Sequence, residues 1–411
     1  MNEGGTSVKR LWYITMAFPV PSEAFLSAEL LALQSAGASV SVKTLRGRRG
    51  DAEEASLQQR VEHVKRDHAT FGKCLRGIMV GIFHPVMTLS ILAHLCFTLA
   101  SKPVLLAACI RWLPRSLQLW ESVRLERPSH VHLFWGHFPS MVAWLLLYSN
   151  EDVSLSMSLG AYDAEFALPI SGIVARRCHG VRLIAPDRQQ LLDAWEVPPE
   201  RVLHLPRGID QRLFGSHLPR PESPGNQFEL ISVGRLIPSK NHSFSLRVLH
   251  SLLGNGFPAH LQFCGAGPNR QSLEDQAESL GLGASVTFHG HVSHPTLAEL
   301  LAKSHFLLFP SLHQTERLPN AVKEASACGC ICLATPTPGI ERLIAHNESG
   351  FILEADAPAH WAKRIEELAK DSERLHRFQT AARRQLGADL SLQHTARRLI
   401  DWWGIAEPHQ G

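Results

Sequence analysis

The chain has 411 residues, of which 45% are hydrophobic and 19% charged, a composition typical of folded domains that excludes a disordered protein. A net charge of +3 gives no general attraction to nucleic acid, and eight cysteines without a regular framework favour a reducing compartment over a disulfide-stapled protein. Because the length exceeds what one hydrophobic core usually serves, two domains are expected.

The first half of the chain alternates strand and helix patterns. The continuous apolar run 11–14 predicts a strand buried on both faces, a helix follows and ends at Gly37, and 39–45 predicts a second strand. This order is the unit of a parallel, doubly wound sheet, whose ligands bind beyond the carboxyl ends of the strands. Ser22 and Glu23 follow the first such end and are therefore candidate ligand contacts. Residues 46–67 are polar and are predicted to form a helix or an excursion, and further strands are predicted within 129–136, 153–159, 181–185 and 202–205.

One segment raises the question of a membrane. Residues 78–100 carry no formal charge and are long enough to span a bilayer, but they contain a proline and two histidines. Their basic flanks favour a helix at the inner face of the cytoplasmic membrane, with a peripheral contact through 73–115. A buried helix pair without lipid contact explains the pattern equally well, and a true span explains it least. Because the N-terminal apolar run ends at Pro19, it is too short for a convincing signal peptide, and a cytoplasmic location is expected.

The second half repeats the alternation after a stretch rich in proline and glycine. We predict an N-terminal domain at 1–207, a linker at 208–227 and a second domain at 228–385. A final helix within 386–411 is expected to pack back on the N-terminal domain, anchored by Trp402 and Trp403. Each domain is expected to be a doubly wound, Rossmann-like α/β unit.

Charged side chains and glycines follow successive strands of the second domain. Arg235 and Lys240 come after the strand 228–233, and a guanidinium with a nearby ammonium group can clamp a diphosphate. Gly265 and Gly267 follow the next strand but lack the third glycine of a dinucleotide fingerprint, which disfavours NAD. Glu316 and Glu324 flank the start of a helix in which Pro319 suits the first turn, and Gly339 to Glu341 opens another helix. All of these groups are predicted to lie on one carboxyl edge of one sheet.

This series of motifs resembles family-4 retaining glycosyltransferases of the GT-B fold, in which two Rossmann-like domains face a central cleft. The resemblance covers 228–353 and rests on these pieces: Val233 to Leu236 with Lys240, Gly265 to Pro268, Phe288-His289-Gly290, Pro310-Ser311, and Glu316 to Glu324. Residues 18–25 resemble the N-terminal signature of a bacterial subgroup that builds exopolysaccharide or lipid-linked glycans. The resemblance implies transfer of a sugar from a nucleotide-sugar donor to a glycan acceptor, with a polyprenyl-diphosphate-linked acceptor expected.

The resemblance also implies the role of each residue. Arg235 and Lys240 would bind the donor diphosphate and stabilise the charge of the leaving group, Glu324 would hold the ribose, and Glu316 would face the sugar. The remaining donor contacts implied are Gly234, Gly265, Gly267, the backbone around His289, and Leu318, Pro319 and Asn320. Retaining members are thought to use front-face displacement, so no cofactor or metal is expected, and the chain contains no Asp-x-Asp motif.

The sequence departs from the family pattern at four positions. Gly160 stands where the family often has a histidine, Arg317 replaces a usual glycine, Phe134 a second histidine and Arg207 an asparagine. The side chains that could fill the role of the missing histidine are His132, His137 and Asp163. The alternative function is a GT-B partner protein that binds nucleotide sugars with impaired catalysis. A GT-B epimerase or phosphorylase explains the set of charged residues less well.

Overall fold

The computed structural model describes residues 10–20, 23–48, 50, 61–160, 163, 166–184, 189–215, 217–218, 227–312 and 316–404. The chain divides into two compact units: Met1–Gly208 with Leu392–Gly411, and Ile209–Ser391. Ser22, one of the predicted ligand contacts, lies outside the described residues.

The first unit is built on a seven-stranded parallel sheet in the order β3-β2-β1-β4-β5-β6-β7. Its strands are β1 (Arg10–Thr15), β2 (Ser39–Thr44), β3 (Lys65–Asp67), β4 (His130–Phe134), β5 (Ser154–Leu159), β6 (Gly180–Leu183) and β7 (Val202–His204). Its first helices are α1 (Ala24–Ser35), α2 (Phe71–Phe83), α3 (Pro85–Thr98), α4 (Pro103–Glu126), α5 (Ser140–Tyr148), α6 (Pro169–Arg177) and α7 (Gln189–Ala194). The polar stretch 46–67 therefore ends in an edge strand, because Ser41 to Lys43 pair with Lys65 to Asp67.

The second unit is built on a six-stranded parallel sheet in the order β10-β9-β8-β11-β12-β13. Its strands are β8 (Phe228–Val233), β9 (Ala259–Cys264), β10 (Val286–Gly290), β11 (Phe306–Phe309), β12 (Ile331–Ala334) and β13 (Gly350–Ile352). Its helices are α8 (His242–Gly254), α9 (Arg270–Ser279), α10 (His294–Lys303), α11 (Asn320–Ala327), α12 (Pro358–Ala369) and α13 (Ser372–Gln385). Strand order reverses between β8 and β11, the point at which such sheets bind ligands.

The observed unit boundaries differ from the predicted ones at both crossings. Part of the expected linker 208–227 packs into the second unit, where Ile209 and Phe214 are each 3% exposed and the Ile209 N–H donates to the Leu390 carbonyl (2.8 Å). The returning helix α14 (Leu392–Trp402) begins after Ser391 rather than at 386, because Leu386 is buried in the second unit. The apolar side chains Ile209 and Phe214, inside a Pro- and Gly-rich stretch, pack into the core of the second unit.

The segment around 78–100 forms two helices rather than one. Helices α2 and α3 meet at an angle of 103°, and no single described helix is long and apolar enough to cross a membrane. The bent pair together meets that test by length and composition alone. The interpretation as a buried pair holds for one face of each helix only. Val80, Ile91 and Leu95 are buried in the core of the first unit, whereas nine other large apolar side chains of the two helices, among them Phe71 and Phe83, are exposed.

Candidate functional site

The central pair of the site lies at the point where β8 and β11 are neighbours. Lys240 ends a 3-10 turn (Pro238–Lys240) after β8, and Glu316 lies in the loop after β11. The Lys240 ammonium and a Glu316 carboxylate oxygen form an ion pair, with both side chains mostly buried. Residues 76 positions apart thus meet because parallel neighbours bring their carboxyl ends to the same edge.

Backbone bonds fix the two loops to each other. The Leu312 N–H donates to the Ser239 carbonyl at 2.8 Å, directly beside Lys240. The buried Thr335 hydroxyl, from the loop after β12, donates to the Ser311 carbonyl at 2.6 Å. Ser311 and Leu312, at the start of the loop that carries Glu316, are therefore held by the loops that follow both neighbouring strands.

His242, which was not identified from the sequence, contacts the Arg235 backbone through its imidazole ring. Its imidazole is 4% exposed, and its Nε2 lies 3.1 Å from the Arg235 carbonyl while Nδ1 lies 2.9 Å from the Ser232 hydroxyl. Burial lowers the pKa of His242 to about 4, so the ring is neutral and Nε2–H donates to Arg235. The Arg235 side chain itself is exposed and forms no ion pair with a described residue. A histidine two residues after Lys240 was the only available signal.

Gly265 and Gly267 allow the loops after β8 and β9 to touch backbone to backbone. A Cβ at either position would lie under 3.0 Å from a carbonyl oxygen, of Gly234 or of Leu236. The Gly234 N–H donates to the Cys264 carbonyl and the Gly265 N–H donates to the Gly290 carbonyl. The carboxyl ends of β8, β9 and β10 are therefore joined by backbone hydrogen bonds. These glycines serve close approach of main chains. Their implied role as donor contacts stays a prediction.

His289 lies at the end of β10, where the strand pairing shifts between Phe288 and Gly290. This bulge leaves the His289 side chain exposed, with Nε2 2.9 Å from the side-chain Oε1 of Gln262, so the ring nitrogen donates. Burial, followed by the nearby His260, lowers the pKa of His289. The backbone at this bulge faces the same edge as the other groups.

The chain turns sharply between the two glutamates. Leu318 adopts a left-handed conformation (φ 42°) and is 4% exposed, and Arg317 donates from a guanidinium nitrogen to the Glu316 carbonyl at 2.8 Å. Arg317 therefore has a local role in shaping this turn. Pro319 is the N-cap rather than the first residue of α11, which begins at Asn320.

Glu324 is the most unusual carboxyl group of the site. It is 8% exposed on α11, and burial raises its pKa to about 7, an effect that the neighbouring Lys323 opposes. Its carboxylate forms no hydrogen bond or ion pair with the described residues. A buried carboxyl group without such partners suits a ligand that brings its own hydroxyl donors.

The helix predicted to open at Gly339 is only a 3-10 turn, Ile340–Arg342.

Two of the residues proposed for the first unit, His132 and Asp163, are buried and hydrogen-bonded within the fold. His132 is fully buried in β4, with Nδ1 2.7 Å from the Ser156 hydroxyl and Nε2 2.9 Å from Ser158, and burial places its pKa well below the ordinary value. Asp163 is 2% exposed and accepts from the Gly160 N–H at 2.6 Å. Because both ring nitrogens of His132 are bonded within the sheet, its interpretation as an open ligand contact is wrong. Asp163 holds a tight turn through one carboxylate oxygen, and its acceptor-side role stays a prediction.

His137 remains a candidate. It follows β4, is 7% exposed, and its Nδ1 accepts from the Phe138 N–H at 2.8 Å. This bond places the ring proton on Nε2, which forms no hydrogen bond with the described residues. Burial lowers the pKa of His137 to about 4, so the ring is a neutral N–H donor near neutral pH.

Glu23 lies within a compact cluster at the carboxyl edge of the first sheet. The Trp135 indole N–H donates to the Glu23 carboxylate at 2.9 Å, and the Arg207 guanidinium lies 3.8 Å from the Phe25 ring centroid and 4.8 Å from that of Trp135. Burial raises the pKa of Glu23, while Trp135 and then Arg207 lower it. Arg207, noted as a departure from the family pattern, is thus part of a cation–π stack.

Trp135 also accounts for Gly160. A Cβ at 160 would lie under 3.0 Å from ring carbons of Trp135, so the indole occupies the space that a side chain would need. Trp135 itself adopts a left-handed backbone conformation (φ 76°), which is rare for an aromatic residue. Two of the positions that depart from the family pattern, 160 and 207, therefore both lie against Trp135.

We expect Gly160→Ala to lower the free energy of unfolding by about 1–3 kcal/mol, because the new methyl group overpacks the Trp135 ring. Urea denaturation of the purified protein measures the change. Adding Trp135→Leu should recover part of the loss, whereas Gly72→Ala, at an exposed position with no atom near its Cβ, is the matched control. A Gly160→Ala variant as stable as the wild type would contradict the assignment.

The three cysteines near the end of α11 are buried thiols outside any disulfide. Cys328, Cys330 and Cys332 are at most 1% exposed and belong to the core of the second unit. Within the described part of the chain, no group of three or more His, Cys, Asp or Glu side chains could hold a metal ion. Their packing gives them a role as small apolar residues.

Comparisons with known proteins bear on the family and the fold of this chain. Residues 216–385 match the family model "Glycosyl transferases group 1", which supports the predicted family for the second unit. The chain is 28% identical over 267 residues to the Salmonella typhimurium protein named "Putative colanic acid biosynthesis glycosyltransferase WcaL", covering 62% of each chain. It is 25% identical over 240 residues to the D-inositol 3-phosphate glycosyltransferase of Thermobispora bispora, covering 54% of this chain and 55% of that one. The chain thus matches less than two thirds of the length of these relatives.

Solved structures show the fold. HepE of Anabaena, solved in complex with UDP and glucose, superposes with a TM-score of 0.70 over 97% of this chain and 100% of its own, at 14% identity. A glycosyltransferase from Rickettsia africae gives 0.68 over 97% and 98%, at 13% identity. The structural neighbours are GT-B glycosyltransferases, so the predicted fold class of two doubly wound Rossmann-like units is confirmed.

Proposed function

We propose that this protein is a retaining glycosyltransferase that moves a sugar from a nucleotide-sugar donor to a glycan acceptor. The observation that carries the proposal is the Lys240–Glu316 ion pair at the β8–β11 switch point, inside the region that matches the glycosyltransferase family model. Arg235 is exposed five residues before Lys240. Glu324 is buried on α11, eight residues after Glu316, and forms no hydrogen bond or ion pair with the described residues.

Each group has a chemical task in this proposal. The guanidinium of Arg235 and the ammonium of Lys240 bind the donor diphosphate and stabilise the negative charge that develops when the bond to the sugar breaks. Glu324 accepts hydrogen bonds from ribose hydroxyls. Glu316 orients the Lys240 ammonium and faces the donor sugar, with the backbone of 318–320 close by. These groups position and neutralise charge, so no protein nucleophile and no metal is invoked.

The acceptor is proposed to be a growing cell-envelope glycan on a lipid diphosphate. The name of the Salmonella relative refers to colanic acid biosynthesis, which supports an exopolysaccharide role. The structure of HepE contains UDP, and a Mycobacterium tuberculosis relative is named as GDP-mannose-dependent, which supports a nucleoside diphosphate sugar as the donor class. The eight cysteines are reduced thiols, which fits a cytoplasmic site of action.

A panel of UDP- and GDP-sugars tests the proposal in two steps. A true donor should raise the melting temperature, since a ligand that binds the native state stabilises it. The stabilising donor is then incubated with a lipid-diphosphate acceptor, and the anomeric configuration of the product is read by NMR. A retained configuration is expected; an inverted product, or hydrolysis by an enzyme that ignores every acceptor, would refute the proposal.

A second candidate is a partner protein that binds the donor without turning it over. The observation that favours it is Trp135, which fills the position where a side chain at 160 would stand. This candidate predicts thermal stabilisation by a donor and no transfer to any acceptor. The same panel therefore separates the two functions.

A further inference from the structure

Helix α2 exposes its large apolar side chains and buries its smaller ones, which reverses the arrangement of an ordinary surface helix. Its inward face is made of small residues, since Gly77, Val80 and Gly81 are buried and a Cβ on Gly77 would lie under 3.0 Å from the Pro114 backbone of α4. Its outward face carries the large apolar side chains: Phe71 (86% exposed), Leu75, Ile78, Met79, Ile82 and Phe83 (79%). A helix that faces water places these groups the other way round.

The apolar surface continues along α3 and the start of α4. Helix α3 has no charged residue and exposes Val86, Leu89 and Phe97, while Ile91 and Leu95 on its other side are fully buried. Eleven of the fourteen exposed large hydrophobic side chains of the described residues lie between 71 and 110. We call these eleven side chains the apolar face. A concentration of this kind marks an interaction surface rather than ordinary surface variation.

The segment that carries the apolar face contains basic residues but no acidic ones. The sequence has no acidic residue between Asp67 and Glu121, but it has five basic residues there: Lys73, Arg76, Lys102, Arg111 and Arg115. Lys73 is paired with Asp67, Arg76 with Glu121 and Arg115 with Asp67, whereas Lys102 and Arg111 are exposed beside the apolar side chains. A partner of negative charge is therefore favoured.

We propose that the apolar face docks on the surface of an anionic lipid bilayer, with its side chains in the interface and its basic residues at the headgroups. A second copy of the chain fits less well, because a two-fold contact would set the same positive charges against each other. The bend of 103° between α2 and α3 and the packing of their inner faces against the protein suit a helix pair that lies in the interface. Docking on the bilayer would bring the enzyme to a lipid-linked acceptor. This last step rests on the proposed function, whereas the docking itself does not.

Co-sedimentation of the full chain with phosphatidylcholine vesicles, with and without phosphatidylglycerol, tests the docking. The wild type should bind the anionic vesicles more tightly than the neutral ones. Phe83→Ser should weaken binding by about tenfold or more, since a large apolar side chain leaves the interface. Leu125→Ser is the matched control, because Leu125 is 69% exposed and lies outside the apolar face. Lys102→Ser with Arg111→Ser should remove the preference for phosphatidylglycerol.

The proposal would be overturned by a wild type that does not bind the vesicles, or by a Phe83→Ser variant that binds as the wild type does. A dimer in analytical ultracentrifugation that Phe83→Ser dissociates would also overturn it, by assigning the face to a second copy. Because vesicle binding needs no turnover, the docking proposal is tested independently of catalysis. Transfer to a short soluble acceptor should be unchanged in Phe83→Ser, and absence of that transfer in the wild type counts against the proposed function alone.

Discussion

Replacement of Lys240 by methionine is expected to reduce sugar transfer by about 10²–10³-fold, the usual loss when one group that stabilises developing negative charge is removed. Methionine keeps the length and apolar stem of the side chain, which packs with its ammonium 5.2 Å from the Phe309 ring centroid. The loss should therefore appear in kcat more than in stability. Steady-state kinetics with the donor identified by the panel measures it.

The matched control for this variant is Lys303→Met, at an exposed lysine in the last turn of α10. It removes the same charge from the same unit away from the β8–β11 edge and should leave kcat unchanged. Glu316→Gln completes a double-mutant cycle with Lys240→Met. If Glu316 acts by orienting Lys240, the double variant should be little worse than Lys240→Met alone. Full activity of Lys240→Met would remove the diphosphate role from this residue.

Replacement of Glu324 by glutamine is expected to stabilise the protein at pH 8 while weakening donor binding. Burial raises the pKa of Glu324 to about 7, so the folded state holds this proton more tightly than the unfolded chain does. Stability is therefore lost as the pH rises from about 4.5 through 7, by roughly 3 kcal/mol once the group is ionised. Glutamine carries no charge and should avoid this cost. Urea titrations should show a gain of about 2–3 kcal/mol at pH 8 and little change at pH 5.

Donor affinity should change in the opposite direction. The ionised carboxylate can accept hydrogen bonds from two ribose hydroxyls, and hydrogen bonds to charged groups contribute about 1.5–3 kcal/mol each. Wild-type affinity should therefore rise with pH through about 7, whereas Glu324→Gln should bind at least about tenfold more weakly at pH 8 and show a flat profile. Isothermal titration calorimetry with the nucleoside diphosphate measures both. Glu348→Gln, at an exposed position, is the control for loss of a charge.

A gain in stability together with a loss in affinity would identify Glu324 as a group kept for its ligand. Losses of both would instead mean that the carboxyl group serves the fold. A donor affinity that is independent of pH in the wild type would contradict the ionised role of Glu324. These outcomes do not depend on the acceptor, which makes the test independent of the vesicle experiments.

Local spacing determined much of the second unit. The strand 228–233 has the predicted bounds, and Arg235, Lys240, Gly265 and Glu316 all follow parallel strands, as their positions in the sequence required. A short apolar run followed by glycine is informative because it specifies both the strand and where its carboxyl end lies. The motifs and the order of strands therefore predicted the fold class and the edge at which the charged groups gather.

Only the tertiary structure decided what each side chain faces. His132 looked like a ligand contact, but two serines of β5 take both of its ring nitrogens. The space at Gly160 is filled by Trp135, 25 residues away, and His242 supports the Arg235 loop through a bond that spacing does not reveal. The uncharged run 78–100 was compatible with burial or exposure until packing placed glycines inward and phenylalanines outward in α2. Composition sets which residues can be buried, but contacts between distant strands and helices select which of them are.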